Sequence, residues 1–317
     1  AVKPIHRIHF LKTTWLRYAA AILLIFGIGA YLYTTQQKKT SAPTAEASAK
    51  AVKNDVLPGT QKAILTLSDG KKIELNNAAS ETITDGNLSI NNNKGQLVYG
   101  QTVEGSVAQH RDNREIAYNT MSTPRGGTYR VKLPDGSTVW VNADSKITYP
   151  TAFNSDKREV TLVGEAYFDI TPVKSQPFVV KTLTDTITVM GTKFNVNAYS
   201  DEPYVKTTLQ EGAVKVNEQL LKPGHAYLNK KVITADIEGD LAWTNGIFSF
   251  NDANLKSVMR QLARWYDIDV KYEGTIPADG LTGTIDRNLT LVQVMKLLGK
   301  AKINYTIENK TITILSK

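Results

Sequence analysis

Val131-Lys-Leu-Pro-Asp-Gly-Ser-Thr-Val-Trp-Val-Asn142 reads as two short strands around a tight turn. Apolar residues alternate on both sides of Asp135-Gly136, which is the pattern of a half-buried β-hairpin, and Gly supplies the positive φ that the turn demands. The same pattern occurs earlier as Leu65-Thr-Leu-Ser-Asp-Gly-Lys-Lys-Ile-Glu-Leu-Asn76. Asn76 and Asn142 lie at one offset from their Asp-Gly pairs. A calcium loop would need several acids where each turn offers one, so the turn reading wins. Similar hairpins are therefore expected in a β-rich segment, 59–118, and from residue 119 onward. Two copies do not make a solenoid, which needs more repeats.

Downstream to about Asp240 the chain is nearly all strand and turn. Alternation appears in Val160-Thr-Leu-Val, Phe178-Val-Val-Lys, Ile187-Thr-Val-Met, Phe194-Asn-Val-Asn-Ala-Tyr and Ala213-Val-Lys-Val. Pro150, Pro172, Pro177, Gly191, Pro203, Gly212 and Pro223-Gly224 separate these runs. No helical period intervenes, which argues against parallel α/β architecture. Residues 119–240 are expected to form a β-sandwich or a short β-helical stack. From Trp243 the period changes. Phe248 and Phe250 mark a strand, and Asp252 is expected to cap a helix carrying Leu255, Val258, Met259, Leu262 and Tyr266. Strands follow at 268–272 and 281–285, and Thr290-Leu-Val-Gln293 is a capping box opening a second helix. Strands at 303–307 and 311–315 complete a β-α-β-β-α-β-β order, so residues 241–317 are expected to be a compact α+β domain.

Upstream, residues 15–34 run Trp-Leu-Arg-Tyr-Ala-Ala-Ala-Ile-Leu-Leu-Ile-Phe-Gly-Ile-Gly-Ala-Tyr-Leu-Tyr-Thr. This is about 20 residues, roughly 30 Å of helix, and matches a bilayer core. Trp15, Tyr18, Tyr31 and Tyr33 flank it as aromatic belts do. A single transmembrane helix is expected over 15–34, between a cytoplasmic juxtamembrane segment, 1–14, and a polar, flexible tether, 35–58. A buried core helix would carry a polar stripe, and a signal peptide would have its Ala-x-Ala closer than Ala47-Ser48-Ala49. Lys and Arg balance across the helix, and the large β-rich part is placed outside because its translocation needs only one anchor. The chain of 317 residues carries a net charge of +8, and begins with Ala, so its natural start is expected upstream. Residues 1–58 hold eight of the 38 basic side chains but only two of the 30 acids. The excess charge therefore suits anionic lipid headgroups, and no nucleic-acid partner is expected. There is no cysteine, so no disulfide.

No enzyme signature stands out. The chain has no Cys nucleophile, G-x-S-x-G, P-loop or H-E-x-x-H. Ser68-Asp-Gly-Lys71 fits S-x-x-K but lies on a hairpin turn, His6 and His9 lack a further ligand nearby, and His110 and His225 are isolated. No catalytic residue for an external substrate, no cofactor and no metal site is expected. One internal reaction is conceivable: the Thr192 hydroxyl could attack the Gly191 carbonyl, exchanging amide for ester, and hydrolysis would then cut the chain. Gly-Thr also occurs at 59–60, 127–128, 274–275 and 283–284, so a Gly needed for a turn is the favoured reading.

The run from Asn119 to Pro150 resembles the core of the FecR family. So do Gly164-Glu-Ala-Tyr-Phe168, Pro177-Phe-Val-Val180, Gly191-Thr-Lys-Phe-Asn-Val-Asn-Ala-Tyr199, Thr208-Leu-Gln-Glu-Gly212 and Leu221-Lys-Pro-Gly224. Phe248-Ser-Phe250 and Leu262-Ala-Arg-Trp-Tyr266 resemble the C-terminal domain of the branch that controls SusC-like transporters. The resemblance implies a single-pass inner-membrane anti-sigma regulator with its C-terminal domains in the periplasm. Its implied partners are the N-terminal signalling domain of an outer-membrane TonB-dependent transporter, an extracytoplasmic-function sigma factor held by a domain upstream of this chain, and membrane proteases. Some members cleave themselves at a Gly-Thr bond, and Gly191-Thr192 occupies the matching motif. The α+β end resembles the secretin/TonB short domain. The alternative is a membrane-tethered periplasmic glycan-binding or scaffold module, for which Trp140, Trp243 and Trp265 are candidate sugar platforms and equally fit a core.

Overall fold

The computed structural model describes residues 55–77, 80–85, 88–100, 116–276, 279–299 and 303–315. The transmembrane helix expected at 15–34, the segment before it and nearly all of the tether lie outside the described residues. Among the described residues, no helix is long and apolar enough to cross a membrane.

The β body contains, in order, β1 (Thr60–Thr66), β2 (Lys72–Asn76), β3 (Glu81–Asp85), β4 (Leu88–Asn93), β5 (Gln96–Tyr99), β6 (Tyr118–Thr123), β7 (Gly127–Lys132), β8 (Thr138–Val141) and β9 (Ser145–Pro150). It continues with β10 (Arg158–Asp169), β11 (Phe178–Lys181), β12 (Thr186–Val189), β13 (Lys193–Ala198), β14 (Lys206–Glu211), β15 (Val214–Val216), β16 (Gln219–Leu221), β17 (His225–Leu228) and β18 (Lys231–Thr234). Both Asp-Gly hairpins form: β1 pairs with β2 and β7 with β8, with Gly70 and Gly136 at φ 85° and 84°.

One sheet runs β2-β1-β6-β9-β10-β11-β12-β15-β16. The other runs β3-β4-β5-β7-β8-β10-β13-β14-β17-β18. Strand β10 belongs to both: Thr161–Val163 pair with β9, and Gly164–Asp169 pair with β13. The change of sheet falls at Gly164, whose φ of 90° and whose closeness to Ser145 leave no room for a side chain. On the opposite seam, β1 pairs with β6 and, through Thr60 and Gln61, with β7 in parallel. The ring β1-β6-β9-β10-β8-β7 is thus a closed six-stranded barrel from which the other strands extend. The β-helical alternative does not fit, because the strands close on themselves instead of winding in successive turns. Residues 59–118 enter the same body through β1 and β5. The core of the β body includes fully buried Leu65, Met121, Ile147, Leu162, Phe168 and Phe194, with the last two rings stacked at 4.9 Å.

A short helix, α1 (Ile237–Leu241), and a 3-10 turn (Ala242–Asn245) lead into the C-terminal module. Its elements are β19 (Ile247–Ala253), α2 (Leu255–Tyr266), β20 (Asp269–Glu273), β21 (Leu281–Asp286), α3 (Leu291–Leu298), β22 (Asn304–Glu308) and β23 (Thr311–Leu315). The expected order holds. Strand β19 pairs with β21, and β20-β23-β22 form a second sheet. Asp252 is not the helix cap: it sits at φ 49° in a bulge of β19, and Asn254 caps α2 by accepting from Ser257 N at 2.9 Å. The Thr290–Gln293 capping box forms as read. Leu255, Val258, Met259, Leu262 and Tyr266 of α2 face a second core that includes Leu291, Met295 and Ile312.

Candidate functional site

The two cores meet at a buried polar junction. Asn142 stands just past β8, Glu165 follows the bend of β10, Asn195 lies on β13 and Tyr199 just after it. From the other side come Trp243 in the 3-10 turn, Arg264 and Trp265 in the last turn of α2, and Arg287 just past β21. Glu165 is buried, and each carboxylate oxygen has one donor: Asn195 Nδ2 at 2.9 Å and Asn142 Nδ2 at 2.7 Å. Both amides are fixed from behind. Asn195 Oδ1 accepts from Trp243 Nε1 at 3.1 Å; Asn142 Oδ1 accepts from Ala143 N at 2.9 Å and from Arg287 Nη2 at 3.3 Å. Glu165 thus accepts from both amides, one on each oxygen, an arrangement that favours the ionised carboxylate.

The guanidinium of Arg287 lies 4.0 Å from the Trp265 ring centre and 5.0 Å from that of Phe248. Arg264 stacks on Tyr199 at 3.8 Å and donates to Asp201 at 2.8 Å and Glu202 at 2.7 Å. Arg260 donates to Glu202 as well. Burial pushes the Glu165 carboxyl up, against the pull of Asn195, Asn142, Arg287 and Arg264. Burial pushes Arg287 down to about 10, so it stays cationic at neutral pH. The Tyr199 hydroxyl is raised by burial and by the neighbouring Glu165 charge, and donates to Ala143 O at 2.6 Å. The arrangement is an ionic lock joining the module to the β body.

The candidate self-cleavage pair lies elsewhere on β13 and its approach. Thr192 is buried and its hydroxyl donates to Ala213 O at 2.9 Å. A Cβ at Gly191 would come within 2.6 Å of Pro172, so close packing requires glycine there. The three tryptophans do not form one platform. Trp265 is buried and donates to Arg287 O at 2.8 Å. Trp140 and Trp243 line a cleft of about 200 Å³, and Arg130 lies over the Trp140 ring at 4.7 Å. Arg287 was invisible to motif reading; an Arg beside the apolar strand 281–285 was its only signal.

A closed β body with an α+β module locked onto it is the architecture in hand. Residues 119–215 match the family described as FecR protein, and residues 247–314 match FecR, C-terminal. By these two domains the chain belongs to the FecR family. Two crystal structures of a proposed anti-sigma factor from Parabacteroides distasonis are similar to it, each at 29% identity. Their TM-scores are 0.58 and 0.59, and the matches cover 62% and 63% of this chain and 99% of each of those chains. Comparison with curated proteins gives no match. The domains and these neighbours support an anti-sigma regulator. Stretches that carried the resemblance converge on the junction: the hairpin supplies Asn142, the Gly164 stretch Glu165, the Gly191 stretch Asn195 and Tyr199, and the α2 stretch Arg264 and Trp265.

Proposed function

We propose that the chain is the periplasmic receiver of an inner-membrane anti-sigma regulator. It relays the state of an outer-membrane TonB-dependent, SusC-like transporter to an extracytoplasmic-function sigma factor. The observation that carries this reading is an edge strand on a separately cored, docked module. Among the described residues β20 pairs only with β23, leaving its outer edge to accept a strand from the transporter's N-terminal signalling domain. Arg125 of the β body reaches that same strand, pairing with Asp269 at 3.2 Å and donating to Ile268 O. An event on β20 therefore has a direct contact into the β body. Titrating the chain with the signalling domain is expected to give saturable binding, with slowed hydrogen exchange in Asp269–Glu273. No binding by the folded chain sinks the relay and leaves the glycan-binding or scaffold reading, which direct glycan titration checks at the Trp140–Trp243 cleft.

Self-cleavage at Gly191-Thr192 is not required by this reading. The Thr192 hydroxyl is committed to Ala213 O, and attack would require it to turn to its own preceding carbonyl. The purified chain and its Thr192→Ala variant are expected to give one fragment pattern on denaturing gels. Fragments that disappear in the variant would establish the cleavage.

A further inference from the structure

The first two donors of α3 are satisfied from the far end of the chain. A helix start leaves its N–H groups without intrahelical partners. Here Thr290 serves Gln293 N, while Leu291 N donates to Val56 O at 2.9 Å and Val292 N to Asp55 Oδ1 at 3.0 Å. Asp55 Oδ1 also accepts from Val56 N at 2.8 Å, which fixes the carboxylate in place. The Val56 side chain packs on the C-terminal core. Leu57 then swings out, 75% exposed. Gly59 passes against the Trp265 ring so closely that a Cβ would lie 2.7 Å from it. Thr60 N donates to Gly126 O at 2.9 Å as β1 begins, and Gly126 N donates to Arg264 O at 2.7 Å.

We propose that residues 55–60 are a strap by which the C-terminal module holds the point where the chain enters the β body. Its docking and the docking of α2 and α3 form one coupled unit. The contacts at 55–56 and at 59 belong to two different elements of the module, α3 and α2, so the strap senses the module's position and not one helix alone. A partner that loosens the module frees the strap, and pulling on the strap strains the module; the coupling is reciprocal by linkage. This goes beyond the relay reading and does not depend on which partner binds.

The test uses the full chain and reads both ends. Asp55→Ala is expected to speed hydrogen exchange at the Leu291 and Val292 amides about tenfold, with β6 to β10 unchanged. Asp55→Asn keeps an Oδ1 acceptor and is expected to restore most of the protection. In the other direction, Thr290→Ala breaks the capping box of α3 and is expected to speed tryptic cleavage after Lys53 severalfold. A response at one end only overturns the coupling, and unchanged rates at both ends overturn the strap itself.

Discussion

Arg158→Ala is expected to lower unfolding stability by about 3–5 kcal/mol, because it strands a buried carboxylate. The Arg158 side chain is fully buried, and its Nη1 donates to Asp135 Oδ2 at 2.7 Å and to Thr171 O at 2.9 Å. Its Nε donates to Gln176 O at 3.0 Å, and the guanidinium lies 5.4 Å from the Phe178 ring centre. One cation thus ties the Asp135-Gly136 turn to the chain leaving β10 and to the approach to β11. Removing it leaves the Asp135 side chain, only 7% exposed, with no cation and opens a cavity beside Phe178. Urea unfolding followed by tryptophan fluorescence measures the loss. The repeat supplies an internal control. Asp69 occupies the equivalent turn position but is exposed, accepting from Lys71 N at 2.8 Å. Asp69→Ala is expected to cost about 0.5–1 kcal/mol, whereas Asp135→Ala strands Arg158 and falls in the larger class. Equal costs at the two turns would show that Arg158 and Asp135 do not act as an ion pair.

The contrast between those two aspartates marks where sequence reading stops. Alternation and Asp-Gly spacing are local signals, and they placed both hairpins, most strands and the β-α-β-β-α-β-β order. Barrel closure is not local. It depends on β10 being long enough to serve two sheets and on two residues of β1 meeting β7 in parallel, and neither leaves a periodic trace. The Asp252 cap failed for a similar reason: Asp is a good cap by type, but the β19 bulge carries the strand past it to Asn254. The junction was half legible. Asn142, Glu165, Asn195, Tyr199 and Arg264 all sit in stretches that stood out as family-like, yet nothing along the chain says that they touch. Arg287 stood in no such stretch. A buried cation is defined by its partners, and these are 145 residues away for Asn142 and 44 for Trp243.

Arg287→Ala is expected to destabilise the chain by about 3–5 kcal/mol at pH 7 and to loosen the C-terminal module first. The guanidinium fills the space between Trp265 and Phe248 and is one of two arginine charges opposing the buried Glu165. Its loss leaves a cavity under α2 and a less compensated carboxylate. The sign of the pH dependence follows. Glu165 already titrates above its ordinary value in the folded chain, and losing Arg287 raises it further. A carboxyl raised on folding costs stability while ionised. As pH falls through the folded value the native state takes up the proton first, and the penalty is gone below the unfolded value. The difference between parent and variant is therefore expected to shrink from pH 7 towards pH 5. A pure cavity effect would leave it constant. Glu165→Gln tests the same lock from the other side. Its amide nitrogen must face Asn142 Nδ2 or Asn195 Nδ2, in amides whose Oδ1 atoms already accept from Ala143, Arg287 and Trp243, so a cost of about 1–3 kcal/mol is expected in place of the gain that simple charge removal would bring. The two substitutions disable one lock, so the double variant is expected to lose less than the sum of the singles. Additive losses would mean that Arg287 serves the C-terminal core alone and that the two modules are held together by something other than the Arg287–Asn142–Glu165 chain of contacts.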